Sequence, residues 1–369
     1  MTTTTPSRVG GTDTGSDERR TKQRRLREVL DRADQDAVLL TSATALGWYL
    51  AGARSHVSLA ADPIVAVRVT RDDRAPGGVA DDVLVTDNET ARLVHEELPD
   101  DVTVWERPWF APLPDLRACP ESVLADALRA ARAPLLAPEI DRFARLGRDA
   151  AAVLTDALAA ATPDQTEREL AGAVAGALAA HGADPLVVLV GGLARSSLPH
   201  PLATDGPLGD RALLVACARR DGLIVNLSRA VAFRPLTAGE RDAQHRILEV
   251  ERETLDATRP GVRLSEVLTV IAGAYERHGF GADHWRGHHQ GGVAGYAGRD
   301  PRATPDTHDP VRLGQAFAWN PWAPGAKVED TVLLAGDDAR PAFETLTTDP
   351  RWPVTEVGGR PRPVVWERG

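Results

Sequence analysis

ALLVACARRDGLIVNLSRAV, residues Ala212 to Val231, is the stretch on which the fold turns. An apolar run, Ala212–Cys217, meets a polar Arg-Arg-Asp-Gly break. A second strand candidate, Leu223–Val225 with Val231–Phe233, follows it. Further strands are expected at Leu186–Val190, Ala316–Trp319 and Thr331–Leu334. On the N-terminal side, helical patterns run from Leu146 to Ala161 and from Glu167 to Ala180, punctuated by Thr162-Pro163-Asp164. A long helix, Ala238–Thr258, is ended by Arg259-Pro260-Gly261. Helices followed by turn-linked strands describe an α+β domain built on a curved antiparallel sheet.

Upstream the text changes. Arg24–Asp31 has helical spacing, and Ala37–Leu40, Ile64–Val69 and Val83–Val85 are short apolar runs separated by Asp, Gly and Pro, as in a small α/β domain. A proline-rich stretch, Trp105–Pro120, leads into alanine-rich helical sequence. The division expected is a disordered tail over 1–20, an N-terminal domain over 21–140 and a C-terminal domain over 141–369. A formal charge of −10 argues against nucleic acid or an anionic membrane, because like charges repel. Two cysteines, Cys119 and Cys217, form neither a disulfide framework nor a zinc motif, which fits a reducing cytoplasm. The longest apolar stretch, Pro185–Ala194, is too short to span a bilayer, so a soluble protein with a small-molecule substrate is expected.

Six segments in order carry a resemblance. They are ALGWYLAG (Ala45–Gly52), LPHPL (Leu198–Leu202), the opening stretch, TRPGVRLSEV (Thr258–Val267), HWRGHHQGG (His284–Gly292) and AFAWNPWAPGAKVEDTVLL (Ala316–Leu334). Together the chain resembles the pita-bread family of creatinase, aminopeptidase P and prolidase (M24-like). That resemblance implies an N-terminal creatinase-like domain, a C-terminal pita-bread domain and a homodimer. It implies that Ala45–Gly52 ends a strand and that LPHPL presents an active-site histidine, His200.

The family's five metal positions, carried over residue by residue, fall on Val215, Asn226, His288, Asn320 and Glu329. Two close divalent cations need bridging carboxylates, and three of these positions lack one. No metal and no other cofactor is therefore expected. The retained imidazoles, the side chains best suited to proton transfer near neutrality, make His200, His288 and Glu329 the catalytic candidates. Substrate-binding candidates are Asn226, Asn320, His284, Trp285, Trp319, Trp322, Arg54 and His56. For Trp319, which shares a strand face with Phe317, core packing is the competing reading; for Cys217, a buried apolar role competes with that of a nucleophile. The function expected is a metal-independent hydrolase or lyase cleaving a C–N bond of a small amino-acid-like or guanidino substrate, with creatinase-like logic. Two alternatives stand beside it: a metal-dependent Xaa-Pro peptidase or dipeptidase with an atypical site, and a noncatalytic binding module.

Overall fold

A computed structural model describes residues 3–4, 13–337 and 339–368. The chain forms two compact units, Met1–Pro138 with Asp221–Leu223, and Glu139–Arg220 with Ile224–Gly369. Both mix helix and sheet, and the class is α+β. Among the described residues no helix is long and apolar enough to cross a membrane.

The first unit is built on a six-stranded mixed sheet whose central strands are Thr103–Arg107, Val79–Thr86, Val65–Arg71 and Ala37–Leu40. Its first helix spans Asp13–Arg32, so the tail expected over residues 1–20 is helical from Asp13 onward. Thr3–Thr4 pairs with Val104 and Trp105, and the rest of that expected tail lies outside the described residues. The charges that suggested a solvated segment are instead buried as pairs. Arg19 reaches Asp81 at 2.6 Å, and Lys22 reaches Glu18 at 2.6 Å and donates to the Trp48 carbonyl at 2.7 Å. Within ALGWYLAG the structure shows a helix, Ala43–Tyr49, rather than a strand end. Ser42 caps it by accepting from the Ala45 amide, which satisfies one of the donors a helix start leaves open. Gly52, at φ +102°, turns the chain out of it.

The second unit holds two four-stranded sheets. One runs Trp366–Glu367, Leu223–Ala232, Arg211–Arg220, Asp184–Gly192; the other runs Gly291–Ala294, Ala316–Trp319, Val332–Asp337, Arg340–Thr345. Helices Ala137–Ala160, Glu167–Ala180, Ala238–Ala257 and Leu264–Arg277 accompany them. Two begin with capping boxes, Thr166 with Glu169 and Thr237 with Glu240. Apolar side chains of the last two helices, Ile247, Leu255, Val267 and Ile271 among them, share a core with Phe317, Trp319 and Val332.

Leu223–Ala232 is one unbroken strand. Asn226, Ser228 and Arg229, which break its apolar pattern in sequence, are buried and bonded across the unit, although the Ser228 hydroxyl and Arg229 Nε have no partner among the described residues. The Asn226 amide donates to Thr331 Oγ1 at 2.8 Å, and the Ser228 amide donates to the Glu329 carbonyl at 2.9 Å. Arg229 pairs with Asp330 at 3.0 Å, and Asp330 in turn meets Arg362 at 2.9 Å. These bonds fasten the segment Glu329–Thr331 against the strand and so set the position of the Glu329 side chain.

Candidate active site

A cavity of about 420 Å³ opens in the second unit. The strand Arg211–Arg220 contributes Val215 and Cys217, two residues apart and therefore on one face, and the next strand contributes Asn226. Asn320 follows the strand Ala316–Trp319, and Lys327 and Glu329 share a side of the segment leaving the short hairpin Trp322–Ala323 and Ala326–Lys327. The loop after Gly291–Ala294 supplies Arg299 and Arg302. His200 and His289 complete the polar lining.

Glu329 is 2% exposed and already engaged: Arg299 Nη2 donates to its Oε1 at 2.6 Å, and Lys327 Nζ stands 3.7 Å from its Oε2. Burial lowers the Lys327 pKa while Glu329 opposes the loss of its proton. Asn226 accepts from the Cys217 thiol through Oδ1 at 3.1 Å and donates to the Ile224 carbonyl at 3.3 Å. Burial pushes the Cys217 thiol up to about 12, so the thiolate a nucleophile needs is scarce at neutral pH. Asn320 Oδ1 is buried with no hydrogen-bond partner among the described residues.

Three imidazoles gather beside the cavity, His200 exposed and His288 buried. His200 Nε2 lies 3.1 Å from His288 Nε2, a separation at which the two rings share a single proton. His289 stacks on His288 at 4.6 Å and on His200 at 5.6 Å between centroids. Burial, then Lys327, lowers the His288 pKa to about 2; burial, then Arg299, lowers that of His289 to about 3. His200 is lowered from 6.5 by burial and then by Lys327. All three shifts run toward the neutral ring.

The remaining expected site residues lie elsewhere. Trp319 is 1% exposed and stacks on Phe317 in the core, so its environment is packing. His284 packs against Tyr275, Phe280 and Trp322, and Trp285 lies against the core under the Arg286 guanidinium. Trp322 is buried between His284 and His288. In the first unit, Arg54 pairs with Glu97 at 2.5 Å, and the His56 carbonyl accepts from Arg92 at 3.4 Å. Four polar residues of the cavity lie outside the candidates that the sequence offers: His289, Arg299, Arg302 and Lys327. For Lys327 a signal existed, because its spacing of two from Glu329 puts both on one side of an extended segment.

The family's dinuclear metal centre does not fit this set of donors. Val215 is apolar, Asn226 and Asn320 are neutral, and the one carboxylate is held by two cations. His200, His288 and His289 have ring nitrogens within 4.8 Å of one another, but His288 and His289 are stacked, so their in-plane lone pairs run side by side rather than converge.

The profile of Metallopeptidase family M24 matches residues 141–335, which include every residue lining this cavity. The Xaa-Pro dipeptidase of Pyrococcus furiosus is 24% identical over 195 residues, covering 50% of this chain and 55% of that protein. This chain thus matches about half the length of that curated relative. Among solved structures, the prolidase from Pyrococcus horikoshii superposes with TM-score 0.72 at 18% identity, covering 89% of this chain and 99% of its own. The dipeptidase PepE from Mycobacterium ulcerans gives 0.71 at 19%, covering 92% and 98%.

These relatives overturn the expectation of a metal-independent, creatinase-like hydrolase or lyase, since they are named for dipeptides and Xaa-Pro bonds. The cavity agrees on charge: a guanidino group would enter beside Arg299, Arg302 and Lys327, which repel it. With the match spanning 195 of 369 residues, the chain belongs to metallopeptidase family M24.

Proposed function

We propose that this chain acts on short peptides of the Xaa-Pro type, hydrolysing an amide C–N bond from an atypical site. The observation that carries the reading is that the M24 match encloses the whole cavity lining. The naming of the relatives for dipeptides and the cavity's size, suited to a ligand of two or three residues, support it.

In this reading Asn226 and Asn320 orient the ligand, and the open acceptor on Asn320 takes an N–H from its N-terminal ammonium, since an Xaa-Pro amide carries none. His200, exposed at the mouth and neutral, accepts the proton of the attacking water and returns it to the departing nitrogen. His288, sharing a proton with His200, positions that ring. The reading includes a homodimer in the cytoplasm.

The test is incubation of the purified chain with a panel of Xaa-Pro dipeptides, with and without added Mn²⁺, Co²⁺ or Zn²⁺, read by NMR. Release of free proline, abolished in His200→Ala, is expected. Absence of cleavage in both arms, with the dipeptides still binding, would overturn it in favour of a second reading, a noncatalytic binding module. That second reading is favoured by one observation, the engagement of Glu329 by Arg299 and Lys327.

A further inference from the structure

Gln290 follows His288 by two residues and is 1% exposed. A primary amide taken out of water destabilises the fold unless its donors and acceptor are met, and here both N–H groups and the oxygen are. Nε2 donates to the His288 carbonyl at 2.6 Å and to the Trp285 carbonyl at 2.8 Å. Oε1 lies 3.0 Å from the hydroxyl of Tyr275, which is itself fully buried. That hydroxyl accepts from the Trp322 amide at 2.7 Å and lies 3.0 Å from the Trp322 carbonyl, so its single proton serves two acceptors.

The main chain at this point is held as firmly. The Gln290 carbonyl accepts from the Asn320 amide at 3.1 Å, extending the antiparallel ladder in which Gly291 opposes Trp319. Only glycine allows that approach: at φ +103° a Cβ on Gly291 would collide with the Ala318 carbonyl oxygen. Trp322, whose main chain Tyr275 grips, also packs its indole against the His288 ring at 6.2 Å between centroids. His288 is therefore held by its carbonyl on one side and against its ring on the other. Gln290 itself lies outside the cavity's lining.

We propose that Gln290, braced by Tyr275, is a positioning residue: its side chain sets the His288 ring at the 3.1 Å separation from which it meets His200. The lever is short, because the carbonyl that Gln290 clamps and the ring that faces His200 belong to the same residue. An apolar side chain at 290 would leave two buried carbonyls without donors, and the segment would have to shift to reach others. A ring displaced by a fraction of an ångström no longer shares a proton with His200, since hydrogen bonds weaken steeply with distance and angle. The inference rests on the short-peptide reading for its kinetic arm alone.

The experiment compares the full chain with Gln290→Met, a side chain of similar length without the amide, and with Tyr275→Phe, which removes only the hydroxyl. One readout is the imidazole proton–nitrogen correlation spectrum of ¹⁵N-labelled protein, which reports whether His200 and His288 share a proton. The other is the kinetics of Ala-Pro cleavage. Both variants, where circular dichroism shows them folded, are expected to lose the shared-proton signature. Their kcat falls by up to about 10²-fold with KM little changed, the pattern of a residue that sets geometry without binding the ligand. Parent-like ring spectra, or parent turnover, in a folded variant overturn the proposal. If Gln290→Met does not fold, Tyr275→Phe decides alone. If the parent cleaves no dipeptide, the peptide reading falls, and the ring spectra by themselves uphold or overturn the positioning role.

Discussion

Arg299 Nη2 donates to Glu329 Oε1 across 2.6 Å, and Lys327 reaches toward the carboxylate's other oxygen at 3.7 Å. The one acidic residue retained among the family's metal positions is thereby turned into the counterion of two cations. Protein purified without chelator should carry Mn, Co, Zn and Fe at well below one equivalent per chain by mass spectrometry. Chelator should leave its melting temperature unchanged. Stoichiometric metal would show that the donors rearrange around it.

Glu329→Gln should be strongly destabilising, by roughly 3–5 kcal/mol, because it strands two buried cations. The double variant Lys327→Met, Glu329→Gln should recover part of that loss, since one of the stranded charges is gone. Chemical denaturation of the four proteins in the cycle gives the coupling directly. Additive effects would mean that the pair is not coupled.

His200→Ala and Trp319→Ala should separate chemistry from packing. His200 is exposed, so its loss should change stability by less than about 0.5 kcal/mol while cutting turnover by roughly 10²–10⁴-fold. Trp319, 1% exposed and stacked on Phe317, should cost about 3–5 kcal/mol when truncated. Dipeptide affinity in the fraction that folds should stay unchanged.

Glu240 links stability to acid. Hydrogen bonding from Arg234 holds its carboxyl at about 2 instead of 4.5, with the Thr237 cap also lowering it. A carboxyl depressed by folding contributes in full above 4.5 and loses that contribution as pH falls through about 2. Glu240→Gln should therefore melt below the parent at pH 7, and the two curves should converge toward pH 2. A gap that stayed constant with pH would assign the effect to packing instead.

Much of this could be read from the linear chain, and the failures have physical causes. The strand Ala316–Trp319 is legible in the sequence because its pattern is local and apolar. Leu223–Ala232 reads as interrupted because Asn226, Ser228 and Arg229 are polar, and the partners that hold them in one strand, Thr331, Glu329 and Asp330 among them, lie a hundred residues on. The resemblance makes Ala45–Gly52 a strand end, although Ser42, the cap of the helix Ala43–Tyr49 found there, is a local helix-start signal. The substrate expectation erred for a related reason. Arg299 lies thirty residues before Glu329, and no periodicity joins them.

Residue identities and their order determined the α+β class and the M24 membership, and they determined that Val215, Asn226 and Asn320 cannot act as carboxylate ligands. Identity alone settles those points, because an apolar or amide side chain has no anionic oxygen to offer wherever it lies. Only the tertiary structure decided the sign of the cavity's charge. That sign is a sum over Arg299, Arg302, Lys327 and Glu329, and Coulomb interactions depend on distances in space that separation along the chain does not record.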